Sequence, residues 1–265
     1  MEGKYHSLIE HACHRLKFQG KDLPEKRQHL RDYLTQNHNI TSYEIISIMD
    51  RVLEYELSLH KLYSLSDCHK YSEGLYLLGP NVSITHLQVD CIVNAANSEG
   101  LGCFRPEHKC IDNIIHADAG PSLRNECRTI MHRVKTIVPG NLIVTRGYCL
   151  PSKYVFHVVG PIYKEHTDKK ARELLRQSYL KCIGRAYDMG MRSIAFCCIS
   201  TGIFGFPKNI AAQIAIDVIL ESQRHCRPGV LFNLDVVLCL YTQEDYDIYR
   251  RILDKIPPVI LEVRG

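Results

Sequence analysis

Cys103, His108 and Cys110 stand in the order Cys-x4-His-x-Cys, in a loop between a short apolar run and a helical pattern. Two thiolates and an imidazole are borderline-soft ligands that suit zinc, and three protein ligands leave the fourth position open, as catalytic zinc requires. The spacing is not one of the standard structural-zinc patterns. A free cysteine pair, or a structural site completed by a distant fourth ligand, explains it too. Asn97 and Asp112 bracket the loop. Asn97 carries both donors and an acceptor and suits a hydroxyl or a water. Asp112 opens the helical pattern, where a carboxylate stabilises the helix dipole, or beside a divalent ion positions or deprotonates a water. Asn94, His116 and His157 lie on apolar segments. Asn94 reads as an amide holding the loop backbone, the two histidines as satisfied core residues.

A second loop, Ser200-Thr201-Gly202-Ile203-Phe204-Gly205-Phe206-Pro207, leaves another apolar run and enters a helix. Gly202 and Gly205 permit backbone angles and close approach that other residues forbid. Free N–H groups with a helix dipole behind them seat a diphosphate, although an ordinary strand-to-helix turn has the same composition.

The elements that must carry these loops come in two grammars. Residues 1 to about 70 read as helical: roughly Tyr5 to Phe18, Pro24 to Gln36, and a third helix behind a Thr41/Glu44 capping-box pattern, with Ile45, Ile48, Met49, Val52 and Leu53 at helical spacing. One apolar face per helix is too little core for an independent module, so these helices should cap the rest. From Gly74, strands alternate with helices. Strands are expected at Leu75–Leu78, Val82–His86, Cys91–Asn94, Leu142–Thr145, Tyr154–Val159, Ser193–Ile199 and Leu231–Cys239. Helices are expected at Ile111–Ala117, Ser122–His132, Asp168–Tyr187, Asn209–His225 and Glu244–Ile256. Continuous apolar strands such as IAFCCI belong to a sheet buried on both faces. The expected architecture is therefore a helical extension over 1–72 and a three-layer α/β/α domain with a mixed sheet over 73–265. In such sheets ligands bind beyond the carboxyl ends of the strands, where both loops begin.

The 265 residues are 45% hydrophobic and 23% charged, ordinary for a globular protein. Net charge is +4, with basic and acidic residues interspersed, so the basic stripe that nucleic-acid binding needs is missing. The sequence has no apolar run of signal-peptide or membrane-spanning length. The twelve cysteines lie mostly in apolar runs, where free cysteine acts as a small hydrophobe, and a cytoplasmic, reduced, monomeric protein with no membrane partner is expected.

DCIVNAAN (Asp90 to Asn97), PSKY through HVVGP (Pro151 to Pro161) and STGIFGFP (Ser200 to Pro207) resemble, in order, the characteristic segments of macrodomains, the ADP-ribose-binding α/β fold. The resemblance spans about residues 75–256. GCFRPEHKCIDNIIH (Gly102 to His116) is similar to the zinc-dependent branch of that family, whose members also carry an N-terminal helical extension and remove ADP-ribose from modified proteins. The resemblance implies that Cys103, His108 and Cys110 bind Zn2+, and that Asn97 and Asp112 are the ribose-side catalytic pair. It implies a substrate pocket drawn from Ser83, Ile84, Asn94, Ser200, Thr201, Gly202, Ile203, Phe204, Gly205 and Phe206. Gly202 to Gly205 would cradle the diphosphate through backbone N–H groups, and Phe206 would pack near the distal ribose.

The sequence departs from the family pattern twice. Cys110-Ile111-Asp112 replaces a poly-Gly run before the aspartate, as in the zinc branch. Val82-Ser83-Ile84-Thr85 replaces Gly-Asp-Ile-Thr, so the neutral Ser83 stands where an aspartate bonds adenine. The implied function is a zinc-dependent hydrolase acting on mono-ADP-ribosylated protein. A non-catalytic ADP-ribose reader and an O-acetyl-ADP-ribose deacetylase are the alternatives.

Overall fold

A computed structural model describes residues 2–37, 39–224 and 234–256. Three helices come first, α1 (Glu2–Leu16), α2 (Leu23–Gln36) and α3 (Tyr43–Ser58). Asp22 caps α2 by accepting the Glu25 N–H at 2.9 Å, and Pro24 occupies the first turn, where its missing N–H goes unneeded. The cap of α3 is Ser42, which accepts the Ile45 N–H at 3.3 Å. Thr41 therefore does not form the expected capping box, because Glu44 pairs instead with Arg15 and His11 of α1. Ile9, Leu30, Met49 and Val52 make a small apolar cluster among the three helices. The extension is also pinned outward: Asn125 donates to the Ile40 carbonyl at 2.8 Å, and the Cys149 thiol lies 3.6 Å from Asp50 Oδ1.

The sheet has seven strands, β1 (His69–Ser72), β2 (Leu75–Leu78), β3 (Cys91–Ala95), β4 (Leu142–Arg146), β5 (Tyr154–Val158), β6 (Ser193–Phe196) and β7 (Asp235–Cys239). Their order is β1-β2-β7-β6-β3-β5-β4. The five inner strands run parallel, and the edges β1 and β4 pair antiparallel with β2 and β5. β1 lies inside the stretch expected to be helical, so the sheet starts at His69, just ahead of the expected boundary. Its residues HKYS carry no apolar alternation because an edge strand faces water. Helices α4 (Ile111–Ala119), α5 (Pro121–Val134), α6 (Asp168–Asp188), α7 (Lys208–Arg224) and α8 (Gln243–Leu253) cover both faces. Gly120 makes the α4–α5 corner at φ +85°, with Pro121 starting the next helix.

The expected strand over Val82–His86 is instead a 3-10 turn, Ile84–His86. Ser83 accepts the Thr85 N–H through its hydroxyl and Thr85 donates to Asp118 at 2.8 Å, so side chains take the place of a ladder. β6 stops at Phe196, before the expected Ile199, because the chain leaves the sheet to enter the Ser200 loop. The expected strand start at Leu231 lies outside the described residues, as does the expected helix end at His225. No helix among the described residues is long and apolar enough to cross a membrane.

Candidate active site

β3 lies between β5 and β6, and the carboxyl ends of all three meet at one place. Asn94 on β3 is level with His157 on β5 and is fully buried. Its Nδ2 donates to Asp112 Oδ1 at 2.7 Å, and the same nitrogen lies 3.1 Å from His157 Nδ1. A flipped amide would aim oxygen at a carboxylate, so Nδ2 must face Asp112. Burial pushes the His157 imidazole down to about 3, which keeps the ring neutral. With Nδ1 accepting from Asn94, Nε2 carries the proton and donates to Thr145 Oγ1 at 2.9 Å. Burial pushes the Asp112 carboxyl up to about 6, against the Asn94 bond and the nearby Arg124 charge. A carboxylate so poised is still mostly ionised at pH 7 and is a competent proton acceptor.

Asn97 builds the turn that follows β3. Its Oδ1 accepts from the Glu99 and Gly100 N–H groups, at 3.0 and 3.1 Å. Its Nδ2 donates to the Gly102 carbonyl at 3.1 Å and reaches Asp112 Oδ2 at 3.4 Å. Gly102 has φ +86°, and a Cβ there would lie 2.8 Å from the His116 ring. Glycine is therefore required twice over, by backbone angle and by space. His116 is itself buried, with both ring nitrogens unpartnered and Nε2 3.6 Å from Asp112 Oδ1. Burial holds it well below its ordinary pKa, hence neutral.

The ligand atoms of Cys103, His108 and Cys110 all lie within 4.8 Å of one another, and Cys103 Sγ is 3.4 Å from His108 Nδ1. The loop is closed by Asn113, whose Nδ2 donates to the Arg105 carbonyl at 2.6 Å, and by the His108 N–H on the same carbonyl. Cys110 caps α4, accepting the Asn113 N–H. Burial, with the Cys103 thiol alongside, raises Cys110 to about 11. A bound cation reverses that balance by stabilising thiolates, so this donor set fits zinc.

In the second loop Ser200 sits at φ +66° and Gly205 at φ +66°. The Gly205 N–H is spent on the Gly202 carbonyl, and the Phe206 N–H on that of Ser200. Among the described residues the N–H groups of Gly202, Ile203 and Phe204 have no backbone acceptor in the protein. Thr201 turns its hydroxyl back to the Cys198 carbonyl, while Ile203 is 77% exposed. Phe206 is buried against Tyr163, whereas Phe204 packs, partly buried, on the cluster of Met131, Ile137, Ile143 and Val159. Ser83 Oγ meets Thr85 Oγ1 at 2.7 Å, and Ile84 is buried in the main core. Asp118, reached through Thr85, is held above the usual carboxylate range by burial, despite the Thr85 bond and nearby arginines.

His157 is the buried, satisfied core histidine expected, and it also holds the Asn94 amide. Arg124 is the residue that sequence reasoning misses. Arg124 carried a signal: it falls among the buried positions Leu123, Cys127 and Met131 of α5, where a guanidinium is costly unless it has a task.

The family model described as Macro domain matches residues 93–215. A protein-ADP-ribose hydrolase of Staphylococcus aureus (strain MRSA252) is 37% identical over 216 residues, covering 81% of this chain and 79% of the relative. A Fusarium oxysporum f. sp. cubense protein named "Probable bifunctional ADP-ribose hydrolase/ADP-ribosyltransferase" is 39% identical over 222 residues, and this chain spans only 36% of its length. A Trypanosoma brucei macrodomain solved in complex with ADP-ribose superposes with a TM-score of 0.63 at 27% identity, over 88% of this chain and 97% of that one.

Proposed function

The chain belongs to the Macro domain family, and we propose that it is a hydrolase releasing mono-ADP-ribose from modified proteins, with a zinc ion held by Cys103, His108 and Cys110. The hydrolase names of its relatives support the reaction class, and the ADP-ribose bound by the Trypanosoma brucei macrodomain supports the ligand. The observation that carries the catalytic reading is Asp112: a buried carboxylate held by Asn94 at 2.7 Å and reached by Asn97 at 3.4 Å, two residues after Cys110. Burying a carboxylate is costly, and its place beside the three ligand candidates favours a catalytic use over a purely binding one.

The diphosphate docks on the free N–H groups of Gly202, Ile203 and Phe204, with the helix dipole of α7 behind them. The adenosine lies toward Ser83, and the distal ribose toward Asn97 and Asp112. Of the contacts made by the Asn97 amide, the 3.4 Å one to Asp112 is the longest, and a ribose hydroxyl takes its place. Cys103, His108 and Cys110 would hold a zinc ion, which would supply Lewis-acid polarisation to the ribose–protein linkage. Asp112 accepts the proton of the attacking water, His157 and Asn94 keep its carboxylate aimed, and the neutral His116 walls it from bulk water.

The test is incubation with a mono-ADP-ribosylated carrier protein, with free ADP-ribose measured over time. Catalytic release supports the hydrolase. Tight binding of ADP-ribose without release makes the protein a reader, and release of acetate from O-acetyl-ADP-ribose alone makes it a deacetylase.

A further inference from the structure

Arg124, on α5, is 7% exposed and links the end of α2 to the loop that follows Leu101. Its Nη1 donates to the carbonyls of Leu34 and Thr35, the latter at 3.1 Å, and reaches that of Asn37 at 3.5 Å, all at the C-terminal end of α2. Its Nε donates to the Leu101 carbonyl at 3.0 Å, and its guanidinium carbon lies 5.1 Å from the centre of the Phe104 ring. α2 has no basic residue in its own last turn, so Arg124 supplies from outside the cation that this negative dipole end favours. The helix end in turn neutralises a buried charge that is costly if left alone.

Leu101 and Gly102 are the key pair. The carbonyl of Leu101 is held by Arg124, and the next carbonyl, of Gly102, is held by Asn97. Cys103 follows directly, and Phe104, under the guanidinium, follows Cys103. The loop carrying the first metal-ligand candidate is thus gripped by the amide of the site on one side and by the N-terminal helices, through Arg124, on the other.

We propose that Arg124 is a positioning residue of this loop and that the end of α2 is its anchor. The N-terminal helices then serve the active site itself and are more than a cover for the sheet. The kinetic consequence rests on the hydrolase reading; the structural consequence does not. Losing the clamp should let residues 99–104 open locally and let Cys103 drift from its partners, while the Gly202 to Phe204 seat keeps its shape.

Arg124→Met and Arg124→Lys in the full chain test this, read by amide hydrogen exchange and by kcat and KM for ADP-ribose release. The methionine keeps the apolar stem and removes every donor. It should raise exchange across residues 99–104 roughly tenfold, with the 200–206 segment unchanged. It should lower kcat on the order of 10–100-fold at nearly constant KM, the signature of misplaced catalytic groups over an intact binding seat. Lysine restores the charge but cannot hold both carbonyl sets, so it should fall between. Wild-type exchange at 99–104 and wild-type kcat in the methionine variant would overturn the proposal. If that variant does not fold, the lysine variant decides by the same two readings. If the wild type releases no ADP-ribose, the hydrolase reading fails, and the exchange measurement still decides the clamp.

Discussion

Asn94 donates to Asp112 Oδ1 at 2.7 Å while facing His157 Nδ1 at 3.1 Å, so one strand residue aims a helix carboxylate and is itself aimed by the neighbouring strand. Because Asn94 and His157 are level across a parallel pair, sheet register sets the position of the Asp112 carboxylate. This gives the site rigidity that a loop-borne carboxylate would lack.

Replacement of Asp112 by Asn keeps shape and removes the basicity. Turnover should fall about 10²–10⁴-fold, the usual worth of a positioned general base, with ADP-ribose affinity nearly unchanged. Asn94→Ala should lower turnover as well and cost about 1–3 kcal/mol of stability, because it strands a buried carboxylate and a buried imidazole nitrogen. Kinetics and thermal denaturation of the two variants check this. An Asp112→Asn enzyme with native turnover contradicts it.

Gly102→Ala should be costly for two reasons at once. The backbone there has φ +86°, and the new Cβ would lie 2.8 Å from the His116 ring. The expected loss is about 1–3 kcal/mol of stability, together with a fall in turnover and metal content as the neighbouring Cys103 shifts. Chemical denaturation and metal analysis read these separately.

Gly160→Ala separates the two loops. A Cβ at Gly160 would sit 2.1 Å from Ser200 Oγ and 2.6 Å from Ile199 Cγ2, so the side chains that open the second loop must shift. ADP-ribose affinity should weaken by roughly tenfold, about 1.4 kcal/mol, with metal content intact. Calorimetric titration with ADP-ribose is the measurement.

Glu56 makes the extension acid-sensitive. Burial alone would raise its carboxyl, but the paired hydrogen bonds from Arg27 (2.6 and 2.8 Å), with Tyr5, bring it below its ordinary value. A carboxylate lowered by folding adds stability above its unfolded pKa and loses it as pH falls through the folded one. Glu56→Gln should therefore destabilise by about 1–3 kcal/mol at pH 7, and the gap to wild type should close as pH drops below about 4. Denaturation across pH 3–7 reads it; a gap independent of pH refutes it.

The alternating pattern from Gly74 and the apolar strands made the α/β sheet readable, and Cys103, His108 and Cys110 were readable as a group because their ligand atoms need only one loop to meet. What hid was what depends on distant chain. β1 is polar because it is an edge, so it carried no periodic signal. The Val82–His86 strand failed because Ser83 and Thr85 spend their hydroxyls locally, one of them on Asp118 of α4. The spent N–H of Gly205 and the buried ring of Phe206 follow from how the loop folds on itself, which composition does not encode. Arg124 was visible as a misplaced cation, but its acceptors are carbonyls of α2, and no sequence pattern marks a carbonyl.

The most direct measurement is ADP-ribose release from a mono-ADP-ribosylated protein, made on one preparation as purified, after a chelator, and after returning zinc, with zinc content determined each time. About one zinc per chain is expected, held by Cys103, His108 and Cys110. Release should stop on stripping and return with zinc, and Cys103→Ala should neither hold the metal nor recover activity. Full release from metal-free protein, or zinc retained in the Cys103→Ala variant, would contradict it.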